Sequence, residues 1–573
     1  MYYFTQDESE RYYQAHRRQN FSRWSVKNVG SHEYSLTTPN GAEVVVSEQF
    51  QWDITPASQL QSTLLWVYSL EYLPILLEDF DDADIVSSLL RSFDTFVHSD
   101  AWDARFTELT SRDHMVAQIL RTLSYLLASG ALADRVVVAD MMHYFVEWAT
   151  QKENYHVNNH GMMLAVGTLH ALNFNVAAEL HADIQHAAAP DADVHSAAAQ
   201  DAPVPQNPDA VQQQMSVEQQ REEPHIELSV EDRAKVQLAR HMLHDILDGI
   251  FEQSGLCREN SPAYQLFYIR FLKDLTKDFN ILNTVSDDEG FVHDLIVRAQ
   301  ESLTHICLPS GDLPPFGDGN VTPHGSAESK AGRFYSQESG FFVDKGVDHY
   351  FSMKCGFSSV THKHCDDTSI YLWANGETVL ADAGLYNYDW HDPYTMAVKS
   401  QRGHSGAFFE RFDHLYPATL YRNDRLRVHS SLELSEGKGD QGNSVSLVGR
   451  ATYDDAYAVS RSVSYSDPAR LHVTDIFTAS SQQSENVVTR LIIPGSFDVS
   501  VRGSRTVVEA SSSRNRLIIF TEGYSGIRVL DGSVREDDYA GWIATGFGEA
   551  RPAWCIELLG TSGREYHMEI NLR

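Results

Sequence analysis

An α+β multidomain chain, helical first and an antiparallel β-sandwich after, is the fold this sequence predicts. Three observations predict it. Apolar residues recur at helical spacing from about residue 56 to residue 306, they recur with period two after Arg333, and a Gly/Pro-rich loop separates the two patterns. At 573 residues the chain is long enough for more than one core.

Taken in order, residues 1–45 contain short alternating pieces around the turn signal Pro39-Asn40-Gly41 and read as a hairpin or irregular entry segment. Helical segments follow in LQSTLLWVYSLEYLPILLEDF, DIVSSLLRSFDTFVHS, HMVAQILRTLSYLLASG and RVVVADMMHYFVEWAT, each apolar at i, i+3, i+4 and i+7. Several are apolar on more than one face, as in bundles or toroids of helical hairpins. NNHGMMLAVGTLHALNFN continues the pattern. Residues 183–230 then turn to Ala, Asp, Gln and Pro with no aromatic side chain, a composition that cannot repay the entropy of ordering and predicts a disordered insertion. Three more helices are expected: one from Ser229, where Ser229 and Asp232 suggest a capping box variant, and others in SPAYQLFYIRFLKDLTKDF and DEGFVHDLIVRAQESLTHI. The domains are therefore placed at 46–310 (helical, with the insertion 183–230) and 334–573 (β-sandwich), joined by a linker loop at 311–333. About a dozen alternating segments with Gly, Asn or Asp turns fill the second domain.

The formal charge of −34 argues against nucleic acid as a partner, because phosphate contact needs a basic face. No run of about 18 apolar residues is present to span a bilayer. The polar N-terminus, MYYFTQDESERYYQAHRR, lacks the apolar core of a signal peptide, so a cytoplasmic location is expected. Cys257, Cys307, Cys355, Cys365 and Cys555 form no Cys-x-x-Cys pair and fit reduced, buried thiols.

Three constellations could carry chemistry. The first is His362-Lys363-His364-Cys365-Asp366-Asp367, followed by Asp382 in an apolar run and by His404. Imidazole and carboxylate are common zinc ligands, so His364, Asp382 and His404 are proposed as metal ligands, with His362 free for proton transfer. Two histidines at i, i+2 equally describe an ordinary surface or core pair. The second is Asn158-Asn159-His160-Gly161 at a helix start, where an Asn N-cap with a spare His is the simpler account. The third is Glu259-Asn260-Ser261-Pro262-Ala263-Tyr264, a Ser-Pro helix start whose Tyr264 could be a core aromatic.

Together NNHG, ENSPAY, LPPFGDGN, HKHCDDTSIYLWANGETVLADAG and SQRGHSG resemble, in that order, the heparinase II/III-like family of polysaccharide lyases. The resemblance implies an N-terminal (α/α) helical toroid, a C-terminal antiparallel β-sandwich, and β-elimination on a uronic-acid-containing glycan. It implies that Asn159 and His160 neutralise the uronate carboxylate. It also implies that Tyr264 protonates the leaving oxygen and can serve as base, and that His362 is a second acid/base or a carboxylate neutraliser. A phenol's ordinary pKa near 10 means a base role needs electrostatic depression. A further phenol, Tyr386 or Tyr388, is expected near the substrate, and the cations Lys363, Lys399, Arg402 and Arg411 are candidates for binding carboxylates. The family's metal implies zinc as an organising ion, with no organic cofactor. The chain departs from the family in Asp382-Ala383-Gly384, where Asp-Pro-Gly is common, and in His404-Ser405-Gly406, where His-Asn-Thr is common.

The expected partner is an acidic poly- or oligosaccharide, with nucleic acid and membrane excluded and a homodimer left open. Two other functions fit the same sequence. One is a glycoside hydrolase using Asp366 and Asp367 as its acid/base pair. The other is a non-catalytic protein that binds acidic glycans.

Overall fold

In the computed structural model of the chain the helices come first and the sheets second, as predicted. The structure describes residues 1–16, 23–55, 60–132, 134–174, 226–279, 282, 286–323, 329–421, 427–439, 442–480, 483–503, 507–533 and 540–573. The predicted insertion at 183–230 lies, up to residue 225, outside the described residues. The chain divides into two units, Met1–Asp248 with Lys277–Glu289 and Gly249–Thr276 with Gly290–Arg573.

The first unit opens with α1 (Gln6–His16) and a three-stranded antiparallel meander, β1 (Ser25–Gly30), β2 (Glu33–Thr37) and β3 (Glu43–Ser47). Helices follow at α2 (Leu60–Tyr68), α3 (Leu73–Glu78), α4 (Ala83–Val97), α5 (Asp100–Glu108), α6 (Arg112–Ser129), α7 (Arg135–Ala149) and α8 (Asn159–Ala171). The local sequence accounts for their ends. Asp82 caps α4 by accepting from the Ile85 N–H at 3.2 Å, and Gly130 ends α6 in the left-handed region at φ 64°. Ile85, Leu89, Leu90, Phe93 and Val97 line the buried face of α4. Each such side chain stabilises the fold by about 1.5–3 kcal/mol on full burial. Helix α6 packs against α1, α2, α3, α7 and α8, which explains why it is apolar on nearly every face.

Three longer helices, α9 (Val230–Ile250), α10 (Pro262–Asp278) and α11 (Ser286–Ile306), lead into the second unit. The segment 308–323 carries the short pair β4 (Asp312–Leu313) and β5 (Thr322–Pro323). Strands β6 (Gly332–Ser336), β7 (Phe341–Lys345), β8 (His349–Lys354), β9 (Ser369–Ala374) and β10 (Glu377–Leu380) form one antiparallel sheet in simple up-and-down order. Helix α12 (Pro393–Lys399) and β11 (Ala407–Phe409) come next. An eight-stranded sheet and a five-stranded sheet built around Asn486–Pro494 and Glu549–Thr561 complete the unit. Side chains from all three sheets share one core, including Phe342, Phe351, Leu447, Val473, Leu491 and Ile570. The period-two burial of Arg470–Ala479 shows the pleat directing Leu471, Val473 and Phe477 inward.

Two buried ion clusters hold the loops on this core. The Arg461 guanidinium pairs with Asp475 at 2.7 and 2.8 Å and also donates to the backbone carbonyls of Thr368 and Ser405. Arg490 bonds Asp413 and Glu557, each at 2.6 Å, and donates to Gln401 O at 3.1 Å. A buried ion pair contributes little net stability, but a guanidinium with fixed carbonyl partners dictates one loop path. The five cysteines form no disulfide and are buried.

Candidate active site

Three loops of the second unit meet in unusual backbone conformations. Asn260, Gly317 and His362 all have positive φ, at 63°, 55° and 55°. A Cβ on Gly317 would lie 2.6 Å from His362 O and 2.7 Å from Asn260 O, so only glycine permits the approach. The two non-glycine positions cost about 1–3 kcal/mol each. Hydrogen bonds hold them: Asn260 Nδ2 donates to Ser359 O and Thr361 O at 2.9 and 3.0 Å, and the Asp318 N–H donates to His362 O at 3.2 Å. Ser261, just before α10, donates to Asp318 O at 3.1 Å. The strain places His362 and Asp318 side by side.

Asp318 is the hub of the site. Its carboxylate accepts from His362 Nδ1 at 2.8 Å and from His364 Nε2 at 3.1 Å, and pairs with Lys399 Nζ at 2.6 Å. Burial alone would push its pKa up, but the two imidazoles and the ammonium hold it well below the usual carboxylate range. An ionised Asp318 fixes the neutral tautomers of both rings, because each must carry its proton on the nitrogen facing the carboxylate. His362 Nε2 and His364 Nδ1 then hold the lone pairs, and both are buried without a hydrogen-bond partner among the described residues. Glu259 Oε2 stands 3.6 Å from that His362 Nε2.

Tyr264, in the first turn of α10, stacks on His362 with ring centroids 3.4 Å apart and planes 20° apart. Its hydroxyl meets that of Tyr388 at 2.9 Å, and Lys399 Nζ lies 5.1 Å from the Tyr388 ring. Burial pushes the Tyr264 phenol up to about 12; the Tyr388 hydroxyl opposes this, and the Asp318 and Glu259 charges add to it. The phenol is therefore a proton donor at neutral pH, whereas the base role implied by the resemblance needs a shift in the other direction. Of the two further phenols expected, Tyr388 reaches Tyr264. Tyr386 instead packs on Tyr394 at 5.2 Å, with its carbonyl accepting from the Gly548 N–H.

His364, Asp382 and His404 are brought together, all buried, with one potential ligand atom from each within 4.8 Å of the others. His404 Nδ1 lies 2.8 Å from Asp382 Oδ2, and its Nε2 has no hydrogen-bond partner among the described residues. Two orphaned imidazole nitrogens beside a buried carboxylate are costly unless a cation satisfies them, and this donor set suits a divalent metal. The residues fit the ion that the resemblance implies.

Other expected residues are placed elsewhere. Lys363 was expected to bind substrate, but its side chain is fully buried and its ammonium is paired with Asp366 and Asp367. It faces away from solvent because those carboxylates are themselves interior. Arg402 donates to Asp413 at 3.1 Å, and Arg411 pairs with Glu485 at 2.9 Å and bonds Tyr457. Asp366 is buried against Lys354 and Lys363, and Asp367 accepts from the Gly356 N–H and Tyr421. Neither acid is available as the catalytic pair of a glycoside hydrolase.

Asn159 and His160 belong to the first unit. Asn158 is the N-cap of α8, accepting from the Gly161 N–H at 3.0 Å, which leaves Asn159 as the first helical residue. His160 Nδ1 lies 3.4 Å from Asp113 Oδ1, and His156 Nδ1 lies 3.0 Å from Asp113 Oδ2. Burial pushes Asp113 up, but His160, the His114 N–H and His156 bring it below the usual range. His114 lies against His160 with ring centroids 4.9 Å apart and planes tilted by 32°, and is pushed down to about 3, first by burial.

Sequence reasoning passed over Asp318 and Glu259, and took Lys399 for a carboxylate-binding cation. The available signal was a lone acid flanked by glycines in FGDGN, within a loop otherwise read as a linker.

Residues 315–566 match the family model described as heparinase II/III-like, C-terminal. The fold is similar to that of a heparan sulfate lyase mutant from Pedobacter heparinus, with a TM-score of 0.60 and 13% identity over 99% of this chain and 87% of that one. It is also similar to a heparinase III structure, with a TM-score of 0.60, 11% identity and coverage of 99% and 85%. A heparinase III gene product gives a TM-score of 0.57 at 14% identity, covering 91% of this chain and 79% of that one. No curated protein matches the chain. Residues 315–566 thus carry a heparinase II/III-like C-terminal domain, and the helix-then-sheet fold of the chain is similar to that of the heparinase III and heparan sulfate lyase structures.

Proposed function

We propose that this chain is a polysaccharide lyase that cleaves a uronic-acid-containing glycan of the glycosaminoglycan class by β-elimination. The observation that carries the reading is the stack of Tyr264 on His362, a neutral phenol beside an imidazole whose tautomer is set by Asp318. The heparan sulfate lyase and heparinase III folds support the substrate class.

In this reaction His362 Nε2 takes the C5 proton of the uronate, and the electron pair of that C–H bond forms the C4–C5 double bond. The C4–O4 bond breaks, and the Tyr264 hydroxyl gives its proton to the departing oxygen. The imidazolium formed on His362 is flanked by Asp318 at 2.8 Å and Glu259 at 3.6 Å, which stabilise it as it develops. Tyr388 holds the Tyr264 hydroxyl in place until substrate displaces it. A divalent ion held by His364, Asp382 and His404 would supply positive charge and keep this wall in one arrangement. Asn159 and His160 are proposed to donate to the uronate carboxylate, with His160 Nδ1 set against Asp113.

Incubation with heparan sulfate, heparin, hyaluronan, chondroitin and alginate tests the reading. The expected product is an unsaturated uronate with its ultraviolet absorbance. New reducing ends without that chromophore would contradict it.

A further inference from the structure

The first unit holds a second His/His/Asp group, made by His16 at the end of α1, His170 near the end of α8 and Asp278 at the end of α10. Each offers a ligand atom within 4.8 Å of the others. His16 Nε2 is 3.2 Å from Asp278 Oδ1, and His170 Nε2 is 3.7 Å from Asp278 Oδ2. Ligands about 2.0–2.1 Å from one zinc ion lie ~3.4 Å apart in a tetrahedral site.

One residue orients both rings. The Tyr12 carbonyl lies 2.7 Å from His16 Nδ1, and since a carbonyl only accepts, His16 carries a proton there. The Tyr12 hydroxyl lies 2.7 Å from His170 Nδ1, and the Tyr12 ring stacks on His16 at 4.1 Å. In a neutral His16 the lone pair therefore sits on Nε2. That atom is buried, with Asp278 Oδ1 at 3.2 Å, and makes no well-formed hydrogen bond among the described residues. A carbonyl or hydroxyl fixing the outer nitrogen of each imidazole is the usual support of a metal-bound histidine.

We infer that His16, His170 and Asp278 form a structural site for a divalent transition metal, zinc being the best match, that ties α1 to the ends of α8 and α10. Two imidazoles and one carboxylate suit zinc and are poor in oxygen for calcium or magnesium. The competing state is an imidazolium of His16 paired with Asp278 and no metal.

The test is zinc content of the purified full-length chain after equilibration with Zn²⁺ and desalting, with thermal melting as a second readout. His16→Ala should hold one zinc equivalent fewer than the parent, and the melting rise that zinc gives should shrink. Asp278→Asn, nearly isosteric, should do the same should His16→Ala not fold. The His364→Ala, His404→Ala double variant, which removes the other candidate site, should retain one equivalent. Unchanged zinc in His16→Ala or Asp278→Asn, or none in the double variant, would overturn the inference.

Discussion

Asp318 in the second unit and Asp113 in the first are two versions of one device. Each is a buried carboxylate held ionised by two imidazoles, and each thereby decides which ring nitrogens face outward. They differ in surroundings. Asp318 adds Lys399 at 2.6 Å and sits beneath a histidine stacked on a phenol. Asp113 adds the His114 backbone N–H at 2.9 Å, and its histidines His156 and His160 have side chains 61% and 28% exposed. The enclosed version has a proton donor at hand and suits proton transfer. The open version presents imidazole to solvent and suits binding a carboxylate.

Removing the proton donor should break the contrast most. Tyr264→Phe should lower kcat by roughly 10²–10⁴-fold with the fold intact by circular dichroism. Persistence of the parent kcat would remove Tyr264 from the chemistry. Next comes Asp318→Asn, which leaves the Lys399 ammonium buried without its counter-charge. A broken buried pair of this kind costs about 3–5 kcal/mol, read from denaturant unfolding, and kcat should fall as the His362 tautomer is released. Asp113→Asn should act more mildly and chiefly on KM, by about tenfold, since the loss of one oriented donor is worth about 1–1.5 kcal/mol. A kcat effect as large as that of Asp318→Asn would show the two devices to be equivalent.

The smallest effect concerns pH. The folded pKa of Asp318 lies below its unfolded value near 3.9, so its stabilisation is full above about pH 4 and is lost as pH falls toward the folded pKa. The acid limb of the stability curve should therefore be flatter in Asp318→Asn than in the parent. An equally steep limb would place the acid sensitivity elsewhere.

The convergence of His364, Asp382 and His404 was legible because they lie in one continuous stretch whose strands fold back on themselves. Tyr264 was legible through the Ser-Pro helix start, which fixes where a first-turn side chain points. Asp318 was not, since a Gly-flanked acid in a Pro-rich loop has the composition of a linker, and its value arises only when His362, His364 and Lys399 converge on it. Lys363 misled for the opposite reason. Its neighbours in sequence suggested a cationic surface, but Asp366 and Asp367 draw the ammonium inward. Helix periodicity and strand alternation are local signals and gave the fold class. Charge pairing across distant loops is not local.

The most direct test of the central claim is cleavage of heparan sulfate in water labelled with heavy oxygen, followed by mass spectrometry of the fragments. Elimination from the Tyr264–His362 pair predicts that no solvent oxygen enters the newly formed ends and that the non-reducing end is unsaturated. One labelled oxygen per cleavage, on saturated fragments, would show hydrolysis and contradict the account.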